Sequence, residues 1–447
     1  MLRNFATAVA VAVLPLAGVP ARAQVSTTAT PKVGGAEAPS RAGPLAPSQA
    51  ATAPSLLPRS GPLPSSLTLV QALEEAEARS PALNVAQARV AAAAARIRQA
   101  GVRSNPELSI EVENFLGTGE LSGLRGVETT VALNQRLDLG GRRRARVTSA
   151  QAELAAEQVR LAIARADLAQ SVREQFARSV VAWERLLLAQ DNEERSRELA
   201  RIAQILVDNG REPPLRALRA RSAATQAAAE LEAARAEERS SRSTLSALFG
   251  ATDAVERVSG ELLDLRPRLV NPEESLEVRL AEAERIIAEA ALAQEQAATR
   301  LDPAVGIGVR HVREAGAVAL VGGVSLPLPV FDRNRGNIEA TRAGIRAAEA
   351  NLASVRANVR VRAANAVSNV QSATTRVEAL QRSAVPEASE GLRLTRLAYI
   401  EGRASLVELL DAQSALRQAQ ASLIDARLAQ ALATAELGRV AAQQEAQ

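Results

Sequence analysis

The sequence predicts a mainly α-helical protein with a small β part, built from two similar halves. The first observation is an internal duplication, because each half runs in the order strand, strand, long helix, helix. Gly210-Arg211 in the first half and Gly402-Arg403 in the second mark equivalent places, 192 residues apart. The second observation is a change of hydrophobic period within each half, from the alternation of strands to the heptads of long helices. A duplication of this kind is typical of a channel or scaffold.

The composition favours thin seams between helices over one thick core. Hydrophobic residues make up 47% of the chain but aromatic residues only 2%, and aromatic side chains normally dominate core energetics. The isoelectric point near 10.5 arises from arginine, because Lys32 is the only lysine. The 54 basic residues are interspersed with 50 acidic ones, so no nucleic-acid partner is expected. The absence of cysteine excludes disulfides and thiolate metal ligands.

The N-terminus has the features of an export signal, and residues 1–23 are interpreted as a signal peptide. Arg3 supplies a positive charge, Ala6–Leu16 an apolar stretch, and Ala21–Ala23 a small-residue cleavage pattern. The alternative, an N-terminal membrane anchor, fits less well because the apolar stretch is short. Residues 24–66 are rich in proline, alanine and serine, and they are predicted to form a disordered leader.

Residues 67–250 form the first predicted repeat. It opens with a short amphipathic helix, and a second helix runs from Ser80-Pro81 to about Val102. Serine is a favoured N-cap, and proline suits the first helical position. A β-hairpin is predicted over 107–137, because apolar and polar residues alternate on both sides of a glycine-rich loop.

A long helical hairpin is predicted over 140–249. Neither proline nor glycine interrupts its first helix before Gly210. At 1.5 Å per residue, about 68 residues would span roughly 100 Å. Pro213-Pro214 then opens the second helix. Apolar residues recur every seven positions in the first helix, which indicates a coiled-coil seam, at Val147, Leu154, Leu161 and Leu168.

Residues 251–271 are predicted to be an irregular connector, and 272–447 form the second repeat. This repeat contains a helix, a β-hairpin over 303–330 and a long helical hairpin over 334–440. A kink is expected at Pro386, since proline removes a helical hydrogen bond. The heptad positions of this repeat are Ile338, Ile345, Leu352 and Val359.

The four predicted strands, about 9–13 residues long, have the length of tilted transmembrane strands. After the signal peptide no stretch reaches the ~20 apolar residues of a transmembrane helix, so a membrane-spanning form would need a closed β-barrel. Four strands cannot close one, since known barrels start at about eight. Three copies would supply twelve strands, and their duplicated helical hairpins would close into an α-barrel below. If the chain spans a membrane, the predicted fold is a trimer with a shared 12-stranded transmembrane β-barrel and an α-barrel.

Several other protein classes stay open as alternatives. A coiled-coil scaffold without a pore would explain the heptads, with the two hairpins as caps. A periplasmic adaptor also has a long helical hairpin, but it carries one such hairpin between β-domains rather than two. A trimeric surface adhesin would have a single helix–strand module at its C-terminus. No enzyme and no cofactor are expected, because the sequence lacks a phosphate-binding loop, a G-x-S-x-G motif and a histidine–carboxylate cluster with metal spacing.

Three segments resemble the signature segments of the TolC-type outer-membrane efflux channels: LDLGGRRRARV, SLPLPVFDRNRGNI and AYIEGRASLVELLDAQ. The resemblance extends from about Leu67 to Val440, in the right order and with the duplicated halves. It implies a homotrimer with a β-barrel in outer-membrane lipid and an α-barrel across the periplasm of a Gram-negative bacterium. It also implies two partners, a periplasmic adaptor protein and an inner-membrane efflux pump, whose docking opens a tip that is closed at rest.

The resemblance also implies a candidate gate near that tip. Tyr399 matches the family's tip tyrosine, and Glu408 and Asp411 match its paired acids near the constriction. Three copies would form rings of carboxylates that attract cations. The alternative is that these two acids, three apart on a helix, are ordinary surface residues. The family's tip arginine is replaced by Ala404 here, although Arg403 is adjacent.

In the first half, Arg216 occupies the position of the corresponding acid. A closed tip held by a salt bridge of Arg216 or Arg403 is therefore a hypothesis. The segments GREPPLRALRA and PVFDRNRGNI resemble the heavy-metal branch of the family, the outer-membrane partners of cobalt-zinc-cadmium exporters. The only histidine, His311, is interpreted as a barrel-wall residue, because metal sites usually need several converging donors. No metal site is predicted, and the pump would select any metal cargo.

Overall fold

The computed structural model describes residues 63–116, 118–119, 124, 126–251, 255–260 and 270–442. This part of the chain is mostly helical with two small sheets, which confirms the predicted fold class at the level of its elements. The predicted signal peptide and almost all of the predicted leader lie outside the described residues. Two helices precede the first hairpin, α1 (Leu69–Arg79) and α2 (Pro81–Ala100).

Local sequence explains where these two helices begin. The Thr68 hydroxyl accepts from the Gln71 N–H at 3.3 Å, and the Gln71 side chain accepts from the Thr68 N–H at 3.0 Å. This reciprocal pair is a capping box, which supplies partners for backbone groups that the first turn leaves free. Pro81 occupies the first position of α2, where its missing N–H costs nothing.

A small parallel sheet ties the start of the first repeat to the connector. Strand β1 (Ser66–Leu67) pairs with β4 (Arg257–Val258). Strand β1 therefore begins at the last residue of the predicted leader 24–66, and β4 lies within the predicted connector 251–271. Arg242 explains the order on the connector side, since its guanidinium donates to two carbonyl oxygens just before β4, at 2.8 and 2.9 Å. Two-residue strands have no alternation by which a sequence could reveal them.

The long helices carry the duplication. The first repeat contains α3 (Arg142–Asp208), which is 67 residues long, and α4 (Pro214–Leu248). In the second repeat α7 (Val385–Ile400) is followed by α8 (Leu406–Val440). The end of α7 lies 192 residues after the end of α3, and both ends of α8 lie 192 residues after the corresponding ends of α4. Within the described ranges, no helix is both long enough and apolar enough to cross a membrane.

The first long helix of the second repeat is divided, unlike α3. Helix α6 (Arg335–Ala379) passes through a π-helical turn, Leu380–Ala384, into α7 (Val385–Ile400). Pro386 is the second residue of α7, and its ring would clash with the carbonyl four residues before it. A π-turn widens the backbone at that point. The disturbance expected at Pro386 therefore takes the form of a π-turn upstream of the proline, with helix on both sides.

The larger sheet joins the two repeats. Its antiparallel order is β2 (Glu107–Glu113), β3 (Glu128–Arg136), β5 (Ala304–Val312) and β6 (Ala317–Ser325). The strands have seven, nine, nine and nine residues, so β2 is shorter than predicted. The central pairing of β3 with β5 connects one hairpin to the other.

The last strand is also shorter than predicted. It ends at Ser325, whereas the sequence pattern extended it to Val330. Pro327 and Pro329 follow, and proline has no N–H for a strand ladder. Leu326, Leu328 and Val330, before, between and after these prolines, continue the alternation and so conceal the end of the strand.

The helices bury narrow seams rather than one thick core. Helix α3 contacts α1, α2, α4, α5 (Leu276–Ala298) and α8. The four predicted heptad residues of α3 are only half-buried, and its fully buried positions include Val172 and Phe176. In the second repeat Leu352 and Val359 are buried against Val278 of α5. The heptads therefore mark helix contacts in both repeats, but only in the second repeat do they include buried residues.

A buried carboxylate fixes the junction between strands and helices. Asp302, 4% exposed, accepts from the Gly140 N–H at 3.0 Å and forms an ion pair with Arg142 at 3.0 Å. The same Arg142 donates to the carbonyl oxygens of Ala298 and Arg300, at 2.7 and 2.8 Å. A Cβ on Gly140 would lie 2.9 Å from the Asp302 carboxylate, so the close approach requires glycine there. The first residue of α3 is thereby attached to the end of α5.

Candidate functional site

The four-stranded sheet has one exposed apolar face. Side chains alternate between the faces of a strand, and the register aligns residues of the same face across all four strands. Most of these apolar side chains are exposed, with Leu320 at 75%. This apolar face consists of Leu108, Ile110, Val112, Val131, Leu133, Val305, Ile307, Val309, Val318, Leu320 and Val324.

The opposite face of the sheet is polar. Arg310 lies near its centre and forms ion pairs with Glu113 at 3.2 Å and Glu128 at 3.0 Å. Its Nε also donates to the Thr130 hydroxyl at 3.0 Å. One arginine therefore links three neighbouring strands. Its polar side chains lie mainly on β2 and β3, whereas β5 and β6 contribute mostly glycine, alanine and valine. The charged and polar residues of the polar face are Glu107, Ser109, Glu111, Glu113, Glu128, Thr130, Asn134 and Arg310.

His311 lies on the apolar face. In the register it is opposite Thr129 on one side and Val318 on the other, and its side chain is exposed. Neither neighbour is a metal-binding residue. Across the described residues, no group of three or more His, Cys, Asp and Glu could hold a metal ion.

The hairpin turns of the two repeats have the same backbone conformation. Gly210 and Gly402 adopt φ values of +67° and +71°, a left-handed region that favours glycine. The Arg211 N–H donates to the Leu206 carbonyl, and the Arg403 N–H donates to the Ala398 carbonyl, both at 2.8 Å. This bond spans five residues and is typical of a Schellman motif at a helix C-terminus. Both turns therefore end their helices in the same way.

The two hairpin turns lie against each other. Leu406, the first residue of α8, is buried with Ala203 of α3 and Ala220 of α4. Tyr399 and Leu410 pack on the same cluster. The structure thus brings the end of the second hairpin onto the end of the first.

Tyr399 faces a charged pair of the first repeat. Arg216 forms an ion pair with Glu212 one turn before it. Burial raises the pKa of the Tyr399 hydroxyl, Glu212 raises it further, and Arg216 opposes this effect. The hydroxyl is shielded from solvent and has no hydrogen-bond partner in the part of the chain that the structure describes. A buried hydroxyl without a partner is uncommon, because its desolvation is not offset.

The other predicted gate residues have separate environments. Glu408 accepts from the Ser405 N–H at 2.6 Å, and the Ser405 hydroxyl accepts from the Glu408 N–H at 3.3 Å. The Ser405 backbone hydrogen bond lowers the pKa of Glu408. Asp411 is exposed one turn later, with no partner among the described residues. Arg403 forms an exposed ion pair with Glu401, so it does not contact the two acids.

Sequence reasoning missed two charged residues that the structure places at these sites. Glu212 lies four residues before Arg216, a spacing at which helical side chains can pair. In β5 all residues other than Arg310 and His311 are apolar or glycine. Its acidic partners could be found only from the register, because Glu128 lies 182 residues away.

Comparison with known proteins gives consistent results. The family model described as outer membrane efflux protein matches residues 72–251 and 273–443. The nickel-cobalt-cadmium resistance protein NccC of Alcaligenes xylosoxydans xylosoxydans is 33% identical over 283 residues, which are 62% of this chain and 64% of NccC. The cobalt-zinc-cadmium resistance protein CzcC of Cupriavidus metallidurans is 29% identical over 361 residues, covering 79% of this chain and 85% of CzcC.

Solved structures show the same fold. The outer membrane protein VceC from Vibrio cholerae superimposes with a TM-score of 0.73 at 22% sequence identity. The superposition covers 84% of this chain and 96% of VceC. At this identity the likeness concerns the fold alone.

Proposed function

Because this chain belongs to the outer membrane efflux protein family, we propose that it is the outer-membrane exit channel of a tripartite efflux system for heavy-metal cations. The names of two similar proteins support this cargo, since both are resistance proteins for metals that include cobalt and cadmium. The channel conducts passively and extends from the outer membrane into the periplasm. An inner-membrane pump selects the cargo, and a periplasmic adaptor connects the pump to the channel.

The observation that carries the proposal is the exposed apolar face of the four-stranded sheet. A continuous apolar surface is unfavourable in water, whereas strands of a membrane barrel alternate between a lipid-facing apolar side and a polar interior. The sheet also has free edges at β2 and β6. Pairing of β2 in one copy with β6 in the next would satisfy both edges, and three copies would form a closed 12-stranded barrel. The polar face around Arg310 then lines the interior.

The periplasmic gate is proposed at the two hairpin turns. In a trimer the exposed carboxylates of Glu408 and Asp411 would form rings that attract cations and repel anions. Tyr399 contributes to the packing of the turns. A closed tip would be held by salt bridges from Arg216 or Arg403 to a neighbouring copy, in exchange for their partners within the chain.

Single-channel conductance in a planar bilayer tests this proposal. The change is Glu408→Gln together with Asp411→Asn in the mature protein. Glutamine keeps the capping-box hydrogen bonds at this position, so the double variant removes charge while retaining the turn. We expect the wild type to form small cation-selective steps, and the variant to show weaker cation selectivity because six carboxylates are lost from a trimer.

The matched control is Glu194→Gln together with Glu387→Gln. Both residues are exposed and have no ion pair among the described residues. Each lies more than three helical turns, roughly 20 Å, from the nearest hairpin turn. Equal selectivity in the wild type and the gate variant would place the constriction elsewhere. A protein that stays soluble without detergent and never inserts would favour a periplasmic coiled-coil scaffold without a pore.

A further inference from the structure

A basic cleft lies beside the strand-to-helix junction. It has a volume of about 600 Å³ and is lined by residues of α2, α3, α5 and the segment between α2 and β2. Three arginines line it: Arg96 of α2, Arg103 of the segment before β2, and Arg146 of α3. Glu153 is the carboxylate on its wall, so three positive groups meet one negative group. The charge balance of the cleft therefore differs from that of the whole chain, where acids nearly match bases.

The three arginines have no protein partners in the part of the chain that the structure describes. Within the described ranges, none of their guanidinium groups forms an ion pair or a hydrogen bond. On the same helix α3, by contrast, Arg160 pairs with Glu157 at 2.7 Å and with Glu284 at 3.2 Å. Guanidinium groups that line one cleft without counterions repel each other, and a bound anion would relieve this repulsion.

We propose that Arg96, Arg103 and Arg146 bind the phosphate group of an anionic phospholipid. The planar guanidinium matches phosphate oxygens in a bidentate geometry, which makes arginine the preferred residue for this group. Uncharged donors on the wall, such as Gln99 and Ser149, supply further hydrogen bonds. A cleft of about 600 Å³ accommodates a headgroup.

The position of the cleft favours a lipid over a soluble anion as the ligand. This choice of ligand rests on the proposed function. Asn105 lines the cleft and precedes β2, whose first apolar-face residue is Leu108. At 3.3 Å per residue these positions are roughly 10 Å apart along the strand. If the apolar face contacts hydrocarbon, the cleft lies at the level of the headgroups on the periplasmic side. Basic residues at that level attract anionic lipid.

Native mass spectrometry of the detergent-purified full-length protein tests the proposal. Phosphatidylglycerol is titrated against the trimer, with zwitterionic phosphatidylcholine as the comparison lipid. The wild type is expected to retain phosphatidylglycerol preferentially. The variant with Arg96, Arg103 and Arg146 all changed to Gln should bind it about a hundredfold more weakly, at roughly fivefold per arginine. The single variant Arg103→Gln changes a residue in a segment without helix or strand, and it should bind phosphatidylglycerol roughly fivefold more weakly. It tests the proposal if the triple variant does not fold.

The control removes three exposed arginines that likewise lack ion pairs in the described chain: Arg219, Arg239 and Arg376 to Gln. It should retain the wild-type affinity. Equal lipid binding by wild type and triple variant would overturn the proposal, and so would inorganic phosphate that binds as tightly as the lipid. Loss of the trimer in the triple variant would instead assign the arginines to a contact between copies. Wild-type channels without lipid preference would refute this inference alone, whereas absence of channels would refute the proposed function.

Discussion

At the scale of single residues, Glu408 has one role in the structure and a second role in the proposed gate. As the third residue of α8 it completes a capping box with Ser405. In the proposed trimer its carboxylate also faces the constriction. Its equivalent in the first repeat is Arg216, which has the opposite charge near a helix N-terminus and is balanced by Glu212. The same place in the two repeats therefore achieves a stable turn in two different ways.

The cap predicts a pH dependence of stability. The pKa of Glu408 is lowered from its ordinary value of 4.5, chiefly by the Ser405 backbone hydrogen bond. A carboxylate whose pKa is lowered by folding stabilises the folded state above its unfolded pKa, and this stabilisation is lost as the pH falls through the folded pKa. We expect the difference in unfolding free energy between wild type and Glu408→Gln to be constant above pH 4.5 and to diminish below it.

Urea unfolding of the detergent-solubilised protein at a series of pH values measures this difference. Asp411→Asn is the control, because Asp411 is exposed and makes no cap contact. A difference that stays the same at acid pH would mean that the Glu408 carboxylate does not stabilise the turn.

At the scale of secondary-structure elements, the junction at Asp302 positions the sheet relative to the helices. Asp302→Ala leaves the Gly140 N–H without its acceptor and Arg142 without its carboxylate. Breaking a fully buried ion pair costs about 3–5 kcal/mol. We expect about 2 kcal/mol here, because the Arg142 side chain is 34% exposed and retains its carbonyl partners.

Asp332→Ala is the matched control for this element. Asp332 accepts from the Asn334 N–H at 2.8 Å in an exposed turn before α6, at the place equivalent to Gly140. Its loss should cost less than about 1 kcal/mol, as for an exposed hydrogen bond. Equal losses in the two variants, measured by urea unfolding, would contradict a special role for the buried carboxylate.

At the scale of the whole molecule, we expect arginine to have different effects on assembly when it is placed on the apolar face and on the polar face of the sheet. Ile110→Arg places a charge on the apolar face, where arginine near the middle of a bilayer costs about 2–4 kcal/mol. Glu111→Arg changes the next residue, on the polar face, where Glu111 has no ion pair among the described residues. We expect the first variant to be depleted from the outer-membrane fraction and the second to assemble normally with altered ion selectivity. Normal assembly of both would refute the lipid-facing assignment.

Much of this architecture could be predicted because it depends on local sequence. The spans of α3 and α4 followed from uninterrupted heptads and from the glycine and proline residues at the turn. Both β-hairpins followed from alternation, with an error at the end of β6 where prolines interrupt the ladder. Among the candidate gate residues, the positions of Tyr399 and Glu408 at the ends of helices were predictable. Glu212 was missed, since only packing brings it to Tyr399.

The sequence by itself determined the type, order and duplication of the elements, because hydrophobic period and turn chemistry act over a few residues. Only the tertiary structure decided how the two repeats combine. The pairing of β3 with β5, the contact of Asp302 with Arg142 and the packing of Leu406 on Ala203 all join residues that are distant in sequence. Such contacts depend on the whole set of helix seams and strand registers, and no local pattern encodes them. The same register creates the exposed apolar face on which the proposed function depends.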